Sequence, residues 1–480
     1  MTSQAPPART GPRRLAARFG AKDIVFMVVA AAAPLTVVAG VVPVGIAYGN
    51  GASFPATYVV CTAILLLFSV GFTAMSRHVT NAGAFFAFVH EGLGRRAGVG
   101  TAFLALVSYT SVQLAVYGFI GASLDSLVTD HGGPDLPWYV WSAVALAVVG
   151  LLGYRNIALS GRVLGVLLVA EVAIVLVMSL AIVLQGGGDT GALSSGSFSP
   201  SGFLDGAPGI ALIFAVAGYI GFEATVVFRD EARDPGRTIP RATYAALLLI
   251  GGFYAFASWA LVSAYGDDDV VEAAASDPGG LLLATSRTFL GTFGSDLVQV
   301  LLVTSVFAAV LSFHNVLARY IFSLGHSRVF PERCGSSHEE HRSPHVASLV
   351  QSASAAVLVT VVAVAGLDPV VEVFTWFAGV ASVGILALML LTSVAVVAYF
   401  ARRPGTVSTW HGLVAPAAAC VGLATVLVLT IQNLPLLVGG SESIAVAVGL
   451  TLLLSFVGGV LLPSSTSTTH PSTDPQEIAS

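Results

Sequence analysis

Residues 214–241 read FAVAGYIGFEATVVFRDEARDPGRTIPR. An apolar run opens the stretch, Gly218 and Gly221 loosen it, Glu223 follows at membrane depth, and a basic segment from Arg229 to Arg241 closes it. A helix whose only task is to cross lipid has no use for paired glycines beside a carboxylate, because freed backbone groups and charge are both costly in hydrocarbon. The stretch therefore reads as a membrane helix that binds something.

The rest of the chain supplies the membrane. Of its 480 residues, 55% are hydrophobic and only 10% charged, and the mean hydropathy is +0.86, outside the range of a soluble enzyme of ordinary composition. Crossing a hydrocarbon layer of roughly 30 Å takes about 20 apolar residues. Polar punctuation marks off such stretches at 24–48, 54–75, 97–128, 138–154, 160–185, 209–229, 241–265, 294–325, 346–366, 370–400, 411–432 and 443–462. The expectation is an all-α membrane protein of twelve transmembrane helices.

Cytoplasmic loops retain Lys and Arg. Arg77, Arg95 and Arg96 follow span 2, Arg155 and Arg162 follow span 4, and Arg229, Arg233, Arg237 and Arg241 follow span 6. Arg319, Arg328, Arg333 and Arg342 follow the core of span 8, and Arg402 and Arg403 follow span 10, whereas Asp267, Asp268, Asp269, Glu272 and Asp277 fall in an outer loop. Both termini are expected in the cytoplasm. Residues 1–22, with Arg9, Arg13, Arg14 and Arg18, read as a disordered cytoplasmic tail, and the Ser/Thr/Pro-rich residues 463–480 as another. Residues 80–95 are too short and polar to span, and read as an interfacial or re-entrant helix with Phe85, Phe86 and Phe88 on its lipid or protein face. The outer loop 266–293 is expected to carry a short surface helix. Cys61, Cys334 and Cys420 read as free thiols.

Helices interrupted at corresponding places in two halves of a membrane protein point to a midplane site. Span 1 holds Pro34, Gly40, Pro43 and Gly45 within one apolar run, and span 6 holds Gly209, Gly218 and Gly221. These spans are five apart, so a repeat of spans 1–5 and 6–10 pairs them. The domain reading is a first repeat at 23–185, a second at 209–403, and two further helices at 411–462.

Residues 221–242, GFEATVVFRDEARDPGRTIPRA, resemble the span-6 signature of bacterial amino acid permeases of the amino acid–polyamine–organocation superfamily. Asp230 and Glu231 form the expected acidic pair, and Asp234 stands where that family often has Asn. TNAGAFFAFVHEGLG (80–94), LARYIFSLGHSRVFPE (317–332) and RSPHVAS (342–348) agree with it. The resemblance implies a five-plus-five inverted repeat with discontinuous helices 1 and 6, and secondary active transport of amino acids or related amines. It further implies that amides of span 1 hold a substrate carboxylate, at Thr36, Val37, Val38, Ala39 and Gly40, and that carbonyls of span 6 hold its ammonium, at Ala215, Ala217, Gly218, Tyr219 and Ile220. Helix ends provide such complementarity without charged side chains. Many relatives carry a Gly-Ser-Gly type element in span 1 where this chain has residues 35–40, LTVVAG. A diamine therefore remains an alternative cargo.

Ionisable residues within the membrane are functional candidates. Glu223 is either a gating residue or a structural hydrogen-bonding group. Glu171, in span 5, stands near where one subgroup of the superfamily has a lysine linked to coupling; it is either a proton carrier or a glutamate bonded to backbone. Tyr109, Gln113 and Tyr117 share one helical face. They either line a cavity or simply pack. Ser305 is the best-placed span-8 hydroxyl for a sodium site of the kind the resemblance implies. His314 and Asn315 read as gate or helix-contact residues, and Phe214, Tyr219, Phe222, Phe374 and Trp376 as candidate lids.

The sequence holds no phosphate loop, no HExxH or paired CxxC, and no catalytic constellation. The arginines follow loops rather than forming a nucleic-acid face, and no charged ring or repeated filter suggests a channel. The reading is a non-enzymatic plasma-membrane permease without cofactor or metal. It carries an amino acid, with H+ as the coupling ion, by import or exchange; the alternatives are a polyamine of the putrescine type or sodium coupling. Oligomeric state is not legible.

Overall fold

A computed structural model describes residues 20–79, 85–155, 161–188, 191–326, 329–336, 344–438 and 440–462. Nearly all of both expected tails, residues 80–84, and part of the 342–348 motif lie outside the described residues. Among the described residues there is no strand. Among the described residues, ten helices are long and apolar enough to cross a membrane, and Trp138–Tyr154 adds a shorter apolar one. The chain is an all-helical, multi-pass membrane protein.

The N-terminal helix Ala21–Ala31 stops where Pro34 forces it to. A residue before proline is pushed out of the right-handed helical region, and proline donates no hydrogen bond. Ala33 takes φ 45°, ψ 68°, a left-handed conformation costing about 1–2 kcal/mol for an L-residue. Pro34 then serves as the first residue of a new helical run, where a missing N–H is harmless. That run, Pro34–Ser76, passes through π-helical turns at Val37–Val41 and Ile46–Asn50. It bends at Gly49 and at Gly51, which has φ 59°, and continues as helix Phe54–Ser76.

A second interruption falls at the stretch quoted above. Helix Pro208–Ala217 ends on Gly218. Residues 218–221 turn, Gly221 takes φ 110°, and the chain resumes as the 3-10 helix Phe222–Glu231. Phe222 packs edge-on against Phe68, and Thr243 Oγ1 donates to Thr225 Oγ1 at 2.8 Å, which fixes this segment against helices 54–76 and Pro235–Tyr265.

Two expected boundaries move. Span 8, expected at 294–325, belongs to a helical run Leu281–His326 bent at Gly291, φ 72°. The expected single surface helix of the 266–293 loop is thus two pieces, Val270–Ser276 and residues 281–290. In helix Phe85–Leu93, Phe85 and Phe88 are buried. The rings of Phe72 and Phe88 are 4.6 Å apart, and the Arg402 guanidinium donates to the Gly92 carbonyl. Those two aromatics face protein rather than lipid.

Burial separates the core from the periphery. The apolar windows of Arg95–Asp130 and Pro208–Val226 are each 78% buried, that of Glu442–Leu461 only 17%. Helix 95–130 is therefore the central post, packed against 85–93, 138–154, 281–326, 369–401 and 442–461, and the interrupted 208–226 stretch is as deeply enclosed.

The backbone at the second interruption generates a prediction. Gly221→Ala puts a Cβ on a positive-φ residue and is expected to lower the melting temperature in detergent by the equivalent of about 1–2 kcal/mol. Gly252→Ala, in a helix interior with open space around the new Cβ, should leave it unchanged or raise it. Equal melting of Gly221→Ala and the parent protein would contradict this account.

Candidate functional site

Helix Gly161–Leu184 shows why Glu171 is buried. Leu168, Glu171, Val175, Met178 and Ile182 recur at three- and four-residue intervals and are buried, whereas Val166, Val169, Val177 and Leu180 are exposed. One stripe meets protein and the other meets the surroundings, and Glu171 sits on the inner stripe at 5% exposure. Ser305 Oγ donates to Glu171 Oε2 at 2.8 Å, and Thr36 Oγ1 donates to Ser305 Oγ at 3.0 Å. A chain of hydrogen bonds thus links helix 161–184, helix 281–326 and the first turn after the Ala33 interruption.

Glu223 forms a second such centre. Its Oε1 accepts from the Tyr109 hydroxyl at 2.6 Å, and its Oε2 accepts from the Gly221 backbone N–H at 2.8 Å. Tyr109 stacks obliquely on Tyr320, with centroids 5.6 Å apart, and lies near Phe313. An amide freed at the second interruption is therefore satisfied by a carboxylate two residues later, and that carboxylate is anchored to the central helix.

A cavity of about 60 Å³ lies between the two interruptions. Ala32, Ala33, Thr36, Val37 and Val41 form one wall, Ala217 and Ile220 another, Val112, Ala115 and Val116 come from the central helix, and Ala309, Phe313, Phe374 and Ala378 complete it. Among the sequence-predicted positions, Thr36, Val37, Ala217 and Ile220 line it. Val38, Ala39 and Ala215 are buried but are not among its walls. At Gly40 an added Cβ would lie 2.8 Å from the Phe374 ring, so this glycine lets Phe374 close against the first helix. Gly218 approaches Val37 and Tyr254 in the same way.

Several candidates face elsewhere. Tyr219 is fully buried beside Tyr58 and Tyr254, and its hydroxyl shares a 2.6 Å hydrogen bond with Thr62 Oγ1. Tyr254 Oη makes a long 3.5 Å contact to the Ala32 carbonyl, so this tyrosine cluster braces the first interruption from behind. Phe222 packs on Phe68, and Trp376 is half-buried away from the cavity walls. Gln113 donates to the Val310 carbonyl at 3.3 Å. His314 Nε2 pairs with Ser348 Oγ at 2.9 Å, a contact between helices. The first chain break lies at Ala32–Pro34, just before the 36–40 stretch, and the π-helical backbone through Val37–Val41 follows it.

Sequence reasoning missed Ala32, Ala33, Val41, Val112, Ala115, Val116, Ala309, Phe313 and Ala378. They are small or apolar residues in apolar stretches and carry no signal to mark them as cavity walls. Among the described residues there is no group of three or more His, Cys, Asp or Glu side chains able to hold a metal ion.

The amino acid permease family model matches residues 23–462. The chain belongs to the amino acid permease family. Similar family members include the low-affinity putrescine importer PlaP of Escherichia coli K12, 24% identical over 60% of this chain and 63% of its own length. The probable threonine/serine transporter YbxG of Bacillus subtilis is 22% identical over 60% of this chain and 63% of its own. The serine/threonine exchanger SteT of Bacillus subtilis is 23% identical over 59% and 63%. Each match spans less than two thirds of the relative.

The Tyr109–Glu223 bond yields a stability prediction for this permease. Tyr109→Phe leaves one carboxylate oxygen without its donor and is expected to cost about 1–3 kcal/mol, measured as lost melting temperature in detergent. Tyr139→Phe, at an exposed position, should change little. An unaltered Tyr109→Phe protein would show that the bond does not hold the segment.

Proposed function

We propose that the chain is a secondary active transporter that moves amino acids across the plasma membrane by alternating access, with proton binding at Glu171 as the coupling event. The observation that carries this reading is the Glu171–Ser305–Thr36 chain, which runs from a buried carboxyl group to a residue of the cavity wall beside the first interruption. A charged carboxylate at this depth needs every available donor, and a protonated one does not. Gain or loss of the proton therefore changes how strongly Ser305 and, through it, Thr36 are held. Substrate in the cavity touches the same Thr36. Two ligands that bias one element are coupled reciprocally.

In this reading the chain has twelve spans. Run 34–76 contributes two through its bend at Gly49–Gly51, and the short helix 138–154 contributes another. Residues 23–185 and 209–403 form the two inverted repeats, 411–462 the added pair, and both termini face the cytoplasm. Backbone of Thr36–Gly40 and Ala215–Ile220, which supply Thr36, Val37, Ala217 and Ile220 to the cavity walls, receives the carboxylate and ammonium of the substrate. Glu223, held by Tyr109, acts as the gate tie, and Phe374 as the lid, backed by the Phe119 ring 4.8 Å away.

The test is uptake into proteoliposomes under an imposed pH gradient or an imposed sodium gradient. The pH gradient alone should drive accumulation, and Glu171→Gln should reduce accumulation about tenfold or more while equilibrium exchange persists. Accumulation driven by sodium alone and unaffected by Glu171→Gln would remove the coupling role.

A further inference from the structure

The cavity assigned to substrate has walls of one chemical kind. Every lining side chain is hydrocarbon except Thr36, and the Thr36 hydroxyl already donates to Ser305. No acidic, basic or amide side chain is among them. Both neighbouring carboxylates are engaged outside the cavity wall, Glu171 with Ser305 and Glu223 with Tyr109 and Gly221.

Such walls discriminate by charge and by hydrogen bonding. The α-amino and α-carboxylate groups are common to all amino acids, and in the transport reading they are met by backbone at the two interruptions, so selection falls to the side chain. A second ammonium group, as in a diamine or lysine, would lose its hydration against alanine and valine with no carboxylate in return, a cost of several kcal/mol. A hydroxyl would lose less, but among the lining side chains it would meet only the Thr36 oxygen, whose proton is already given to Ser305. Ala115, Ala217, Ala309 and Ala378 leave space between helices that larger residues would occupy, and Phe313 and Phe374 face that space with flat apolar surfaces.

Resting on the transport reading above, we infer that the cargo is an α-amino acid with an uncharged apolar side chain, of which valine is the representative. Putrescine and threonine or serine, named for the relatives, each bring a polar group for which these walls offer no side-chain partner beyond the already engaged Thr36 hydroxyl.

Valine and threonine are near-isosteres, so they isolate the hydroxyl; putrescine and lysine isolate the second ammonium. The experiment uses the full chain in proteoliposomes loaded with unlabelled valine, and follows entry of labelled valine in competition with each compound. Valine is expected to compete at a concentration about tenfold lower than threonine. Putrescine and lysine are expected to fail at about a hundredfold excess. Competition by threonine or putrescine equal to that of valine overturns the inference. Entry of labelled putrescine into putrescine-loaded vesicles, with no valine exchange, overturns it while leaving the transport reading intact. If none of the four compounds exchanges, both fall.

Discussion

A backbone that stops being helical within hydrocarbon must find partners for the groups it frees, and in this protein a buried glutamate stands at each of two interruptions. The Gly221 amide is taken by Glu223, and Glu171 is joined through Ser305 to Thr36, in the first turn after the Ala33 interruption. Each acid is in turn held by a hydroxyl from a different helix, Tyr109 in one case and Ser305 in the other. Without Glu223 the interruption at Gly218–Gly221 would expose an unpaired donor where no lipid group can receive it. The tyrosine cluster of Tyr58, Tyr219 and Tyr254 lies behind the first break, with Tyr254 reaching the Ala32 carbonyl.

This arrangement separates two tasks. Polar groups that hold the breaks lie behind the cavity, and the surface that a ligand would touch is nearly all hydrocarbon. Thr36 is the side chain that belongs to both. Its methyl-bearing side chain stands in the wall while its hydroxyl is bonded to Ser305. A change at Glu171 therefore reaches the cavity through two hydrogen bonds and a strained residue, Ala33, that adjoins the same turn. Low dielectric surroundings make these bonds strong and make their loss expensive.

Much of this was legible because polar residues stand out in apolar helices. Glu171, Glu223 and Tyr109 stood out by type and position, Thr36 and Ser305 through the family resemblance, and the structure joins them into two hydrogen-bonded groups. Pro34 carried a further signal, since the residue before a proline avoids the right-handed helix, and the first break does fall at Ala33. The directions of Tyr219 and Phe222 were not legible. Between them the chain leaves an α-helix of 3.6 residues per turn, makes a glycine turn and enters a 3-10 helix of 3.0, so helical phase cannot be carried across. The cavity walls were equally silent. Val112 and Val116 inside are the same residue type as Val166 and Val169 outside, and only packing tells them apart. Gly291 likewise hid the true start of the 281–326 run, because a glycine beside polar residues reads as a loop.

Proton linkage at Glu171 is the claim on which the account turns, and calorimetry addresses it directly. Valine binding to the detergent-solubilised protein would be measured at one pH in two buffers of different ionisation enthalpy, for the parent chain and for Glu171→Gln. The account predicts a buffer-dependent heat for the parent, reporting proton transfer on binding, and a buffer-independent heat for the variant. Equal heats in both buffers for the parent, or the same proton transfer in Glu171→Gln, would contradict it.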